Sequence, residues 1–219
     1  MPSQLPARLW CCLVLVCSSL CPVCLCGESA AADLAAGFAE ADITPKVGGD
    51  RPVYLAGFGH NRVATKVHDP LFARAVVLKH DGKKIALVSV DLVGFFLPNV
   101  ARVRQSLPGF DYVLVSSTHN HEGPDTLGLW GENAFKSGVD KDYVAGVEKD
   151  IANAVKTASA FARPVSATLG TTKAPELLHD AREPYIKHDE LTAVKFFDKD
   201  KQPAGIIVQW NCHPETLGG

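Results

Sequence analysis

The segment "SSTHNHEGPD", residues 116–125, sets His119 and His121 one residue apart and follows them with Glu122 and Asp125. A third histidine, His213, closes the run "GIIVQWNCHP" near the end of the chain. Neutral imidazole is a good zinc ligand, and a catalytic zinc takes about three protein ligands and leaves a position for water. Side chains two apart on an extended segment face the same side, roughly 7 Å between α-carbons. His119 and His121 can therefore point at one spot. If the strands leading into His119 and His213 run the same way in one sheet, His213 reaches the same edge, where open α/β sheets bind ligands. The alternative is that His119 and His121 are loop residues bonded to backbone and His213 is a capped strand end.

Other histidines offer less. His80 falls in a turn, His179 and His188 lie in the polar stretch "LLHDAREPYIKHDE", and His60 and His68 flank "NRVATKV". The turn-forming Asp69-Pro70 accounts for the setting of His68, and a tight turn accounts for Gly57 and Gly59. Several templates fail: metallo-β-lactamase-type hydrolases need Asp-His directly after the histidine pair, a His-Asn-His nuclease spreads its histidines over a hairpin and helix, and no Gly-x-Ser-x-Gly elbow is present.

The elements that must carry these residues follow from pattern. "AVVLKHDGKKIALVSVDL" reads as two β-branched runs about an Asp81-Gly82 hairpin turn. "LPNVARVRQSLP" reads as a helix, with Pro98 in its first turn and Val100, Val103 and Leu107 on one face. "DYVLVSS" is the next strand, so strand, helix and strand make a parallel crossover. "DKDYVAGVEKDIANAVKTASAF" is the best helix. Asp140 or Asp142 caps it, and Val144, Val147, Ile151, Ala154, Ala158 and Phe161 share a face. "LTAVKFFDKDKQPAGIIVQWNCHP" reads as a second hairpin turning at Asp198 to Pro203. The fold class is α/β, with mixed β-sheets and flanking helices.

Composition bounds the rest. The 219 residues are 47% hydrophobic and 21% charged, with a net charge of -2, which suits a globular chain and gives no electrostatic pull on nucleic acid. Residues 9–26, "LWCCLVLVCSSLCPVCLC", precede the small residues of "GESAAADLAAG", the layout of a secretory signal. Ser18, Ser19 and Pro22 break the apolar run and count against a membrane anchor. Leu25 stands where a lipoprotein signal wants a small residue, which counts against lipidation at Cys26. Six of the seven cysteines (Cys11, Cys12, Cys17, Cys21, Cys24, Cys26) lie in this leader, leaving Cys212 with no intrachain partner. The expected division is a signal peptide and linker over 1–32 and one domain over 33–219, in a secreted, periplasmic or cell-surface protein.

An ordered series of segments from about Gly37 onward resembles the N-terminal part of the neutral (non-lysosomal) ceramidase family. "GFAEADITP" resembles its opening strand. "YLAGFGHNR" followed by "VHDPLFARAVVL" resembles its Gly-x-Gly-x-x-Arg segment and the strand after it. "VSVDLVG", "SSTHNHEGPD", "DELTAVKF" and "NCHP" resemble the segments that follow. The resemblance implies a zinc amidase that splits an N-acyl bond. It implies zinc (Zn2+) on His119 and His213, His121 beside the metal in catalysis, and Arg182 of "DAREP" near the substrate. It also implies that the family's remaining ligands, a Glu and a Tyr, come from later sequence, so that 33–219 is an incomplete catalytic domain. Glu122 replaces a serine and Asp125-Thr126 a Gly-Gly pair, departures that imply a more acidic pocket mouth.

The expectation is an exported zinc-dependent hydrolase of a ceramide-like amide. His121 or Glu122 would move protons, because the departing amine must be protonated. Its partner would be a small-molecule N-acyl lipid, with peripheral membrane association. Two alternatives stand beside it. One is a non-catalytic surface or binding protein that keeps the fold. The other is a metallo-hydrolase of phosphate or lactone esters, in which Glu122 and Asp125 hold a second hard metal.

Overall fold

The β-branched runs on either side of Asp81-Gly82 form a tight antiparallel hairpin in the computed structural model, which describes residues 34–180 and 183–213. Strands β2 (Phe72–His80) and β3 (Lys83–Val90) pair from Ala73↔Val90 to His80↔Lys83. Asp81 and Gly82 both have positive φ, 46° and 70°, the backbone that a two-residue turn needs to match strand twist. The first strand, β1 (Ala35–Asp42), adds antiparallel to β2.

Helix α1 (Leu97–Gln105) then carries the chain over to β4 (Tyr112–Ser117), which pairs parallel with β3 from Ile85↔Tyr112 to Val90↔Ser117. This is the expected crossover, since a parallel neighbour cannot be reached by a short turn. Val100 and Val103 are buried as their spacing requires; Leu107 is buried too, but it lies past the end of the helix at Gln105.

Helix α2 (Lys141–Ala160) is capped by Asp140, whose carboxylate accepts from the N–H groups of Asp142 and Tyr143 at 2.9 and 3.2 Å. Such a cap is worth ~1 kcal/mol. Val144, Val147, Ile151, Ala154 and Ala158 are buried, and the last four belong to the core that α2 forms with β1 and β2. Phe161 departs from expectation: the helix stops at Ala160, and Phe161, its C-cap, is 71% exposed. A two-residue strand, β5 (Arg163–Pro164), completes the sheet order β4-β3-β2-β1-β5.

The remaining strands make a separate antiparallel sheet, β6-β7-β8, from β6 (Ser166–Lys173), β7 (Glu190–Phe197) and β8 (Pro203–Gln209). The β7–β8 turn lies where the sequence places it, with Asp198 Oδ1 accepting from the N–H groups of Asp200 and Gln202, both at 2.9 Å. Strand β6 carries little sequence signal, because "SATLGTTK" is small, polar and exposed throughout; its pairing with β7 defines it.

Alternation along β1 fixes the layers. Gly37 lies against the Ala158 carbonyl of α2, so closely that a Cβ would not fit. The next residue, Phe38, faces the opposite way and meets Phe196 of β7 edge-on, ring centroids 5.5 Å apart. Helices therefore cover one face of the five-stranded sheet, and the three-stranded sheet packs against part of the other. The condition of a shared sheet is not met: β4 and β8 lie in different sheets, so the segments beyond them converge from two layers. Ala32–Gly219 forms one compact unit. The leader lies outside the described residues.

Candidate metal centre

Past Ser117 the chain keeps pairing alongside the end of β3. Thr118 N–H donates to the Val90 carbonyl at 2.9 Å, and Asn120 N–H to the Leu92 carbonyl at 3.3 Å. Between them His119 has φ +62°, a left-handed conformation that costs a non-glycine residue ~1 kcal/mol or more. The two histidines are thus not a plain extended pair, as the spacing predicts. A turn in the backbone at His119 sets the relation of their rings.

That turn brings His119 Nδ1 to 2.6 Å from the Val93 carbonyl. A carbonyl only accepts, so Nδ1 carries the proton. In the neutral ring Nε2 is then a bare lone pair, the form in which histidine binds metal. This Nε2 lies 3.0 Å from His213 Nε2. The His121 ring completes the group. Centroid separations are 4.7 Å for His119–His121, 4.7 Å for His119–His213 and 4.8 Å for His121–His213, with planes inclined at 61–87°. A nitrogen of each ring lies within 4.8 Å of the other two.

Zinc–nitrogen bonds of ~2.0–2.1 Å in a tetrahedral site put ligand nitrogens about 3.3 Å apart. Three imidazoles so gathered, one of them with its tautomer fixed, could hold a metal ion. Among the described residues no other group of three or more metal-ligating side chains gathers in this way.

The surroundings assign the neighbouring residues. His121 is buried, 5% exposed, with the Phe58 ring edge-on at 5.1 Å. Gly57, at φ +105°, lies where a Cβ would collide with the His121 ring, so this glycine does more than form a turn. Arg62 holds both Glu122 carboxylate oxygens with one nitrogen, at 2.9 and 3.0 Å. Its other terminal nitrogen reaches the carbonyls of Ala56 and His121 at 3.3 and 3.5 Å.

While Glu122 stays exposed, Asp125 is corrected as a ligand for a second hard metal and as part of an acidic pocket mouth. It is 1% exposed, and its carboxylate accepts from four backbone N–H groups, those of Leu127, Gly128, Trp130 and Gly138, at 2.7–3.1 Å. It closes a loop and is not offered to a cation.

His68 pairs with Asp69 at the surface, and His60 and His80 are exposed. His188 approaches the Asn211 side chain, two residues before His213, a neighbour that the polar composition of its loop did not announce. Arg182 lies outside the described residues. Gly57, Phe58 and Arg62 all lie in "YLAGFGHNR", and it is this segment that the spacing of histidines alone passes over.

No known protein family matches the chain by its sequence, and no curated protein does. Solved structures do match. The neutral ceramidase from Pseudomonas aeruginosa superposes with a TM-score of 0.67 and 22% identity, over 85% of this chain and 33% of that one. A ceramidase complexed with C2 gives the same TM-score and identity, over 85% of this chain and 32% of the other. The likeness is one of fold: for most of its length this chain is built as part of a neutral ceramidase is built. It spans about a third of those chains.

Proposed function

We propose that this protein is a zinc-dependent amidase that hydrolyses the N-acyl bond of a ceramide-like lipid. The observation that carries the reading is the histidine triangle, in which the Val93 carbonyl leaves His119 Nε2 bare and 3.0 Å from His213 Nε2. It occurs on a fold shared with ceramidases.

In this reading His119 and His213 hold the ion. Zinc bound there would polarise an acyl carbonyl and bring the pKa of a water towards ~7. His121 stands beside them, buried against Phe58, and acts on protons, taking one from the attacking water and returning one to the amine that leaves. Such a role typically contributes ~10² to 10⁴ in rate. Glu122 is the weaker candidate for the same task, because Arg62 already occupies both its oxygens. Arg182 would meet the substrate. Export, from the layout of residues 9–26, and peripheral contact with the membrane that supplies the lipid belong to the same proposal.

The test is metal analysis of the purified full-length protein beside a panel of N-acyl amides and matched esters. About one zinc per chain, with amide turnover that a chelator removes, is the expected result. A metal-free protein, or one that cleaves only the esters, would overturn the reading.

A further inference from the structure

We propose that Arg62 is a positioning residue for His121, holding the imidazole in place through both its backbone and the ring it packs against. The proposal rests on the reading of the histidine triangle as the working centre. The Arg62 guanidinium contacts four groups in and around His121 at once. It reaches the His121 carbonyl itself at 3.5 Å and the Ala56 carbonyl at 3.3 Å. It holds the carboxylate of the adjacent Glu122. Its carbon also lies 5.1 Å from the centre of the Phe58 ring, and that ring meets the His121 ring at 5.1 Å.

Closing the loop does not require any of these contacts. Backbone bonds already do so: Leu55 N–H to Arg62 O at 2.7 Å, Ala56 N–H to Gly123 O at 3.0 Å, and Asn61 N–H to Gly131 O at 2.8 Å. What the guanidinium adds is a planar set of donors that spans Phe58 on one side and the His121 carbonyl and Glu122 carboxylate on the other. Lysine has the charge but not that geometry. With Gly57 leaving room for the His121 ring, Arg62 supplies the restraint that keeps the ring there.

The deciding experiment is histidine-ring NMR on metal-free protein, with zinc affinity measured in parallel. Phe58 should displace the His121 ring protons through its ring current. In Arg62→Met those signals are expected to move towards their free-histidine positions, while zinc affinity stays as in the parent, because His119 and His213 hold the ion and Arg62 touches neither. Arg62→Lys should restore those signals only in part. Glu122→Gln, which removes the ion pair but spares the contacts to Phe58 and the carbonyls, should leave the His121 signals in place. If Arg62→Met does not fold, Arg62→Lys carries the decision. Unshifted His121 signals in the folded variants would overturn the positioning role whatever zinc does. Shifted signals in a protein whose parent binds no zinc would uphold it and defeat the amidase reading instead.

Discussion

Val93 contributes to the histidine cluster only through its backbone carbonyl, yet that oxygen determines the tautomer of His119 and so the direction of its lone pair. His121 has a different environment, buried behind the cluster and packed on an aromatic ring. These differences support a division of labour that mutation can separate. His119→Ala should remove bound zinc. His121→Ala should leave zinc near one per chain while lowering amide turnover by ~10² to 10⁴. The rival assignment makes both residues ligands, which the nearly equal centroid separations allow. Metal content of the two purified variants decides, since equal zinc loss in both would favour three ligands. The spacing of the two histidines was legible in the sequence. The positive φ at His119 was not, because only the pairing of Thr118 and Asn120 with the 90–92 segment imposes it.

Between the residue and the fold, the element that most affects the centre is the loop folded around Asp125. Its carboxylate gathers N–H groups from Leu127 to Gly138, while the neighbouring Thr126 hydroxyl donates to the Gly94 carbonyl at 2.6 Å. The loop is thereby tied to the turn that presents Val93 to His119. Asp125→Asn keeps the volume but turns one oxygen into a donor. Two of the four N–H groups then face another donor, whichever way the amide is turned. We expect a loss of about 2–4 kcal/mol, the range for buried polar groups stripped of partners. Urea denaturation with an unchanged m-value would check it, and a loss below about 1 kcal/mol would contradict this account. From the sequence alone Asp125 reads as one more acidic group near the histidines. Burial and four donors give it another role.

Across the whole molecule, the centre lies where two layers meet. His119 follows β4 of the five-stranded sheet and His213 follows β8 of the three-stranded one. An ion shared between them would link the two sheets, so zinc should raise thermal stability. At a free zinc concentration 100 times the dissociation constant the gain is about 2.7 kcal/mol. For a domain of this size that is a rise of roughly 5–10 °C in Tm. His213 is exposed, so His213→Ala should leave the metal-free midpoint within about 2 °C and abolish the rise. Calorimetry with and without zinc measures both, and a variant that keeps the full rise would remove His213 from the site.

Some features needed only local physics. Asp81-Gly82 supplies the backbone that a tight hairpin requires, the apolar spacing from Val144 to Ala158 marks one face of a helix, and strand-like runs lead into His119 and His213. Dihedral preference and periodicity act over a few residues, and the sequence displays them directly. Which strands become neighbours is settled over longer range. The sheet carrying β1 and β2 buries one face against α2 and sets Phe38 on the other against Phe196. That second contact, and not a shared sheet, brings β8 and its histidine towards β4. The same long-range closure folds the 54–63 segment onto residues 122–125, which puts Gly57, Phe58 and Arg62 around His121. A chain read in order shows the ligand types, but the direction of a lone pair depends on groups that only the closed structure brings within hydrogen-bond reach.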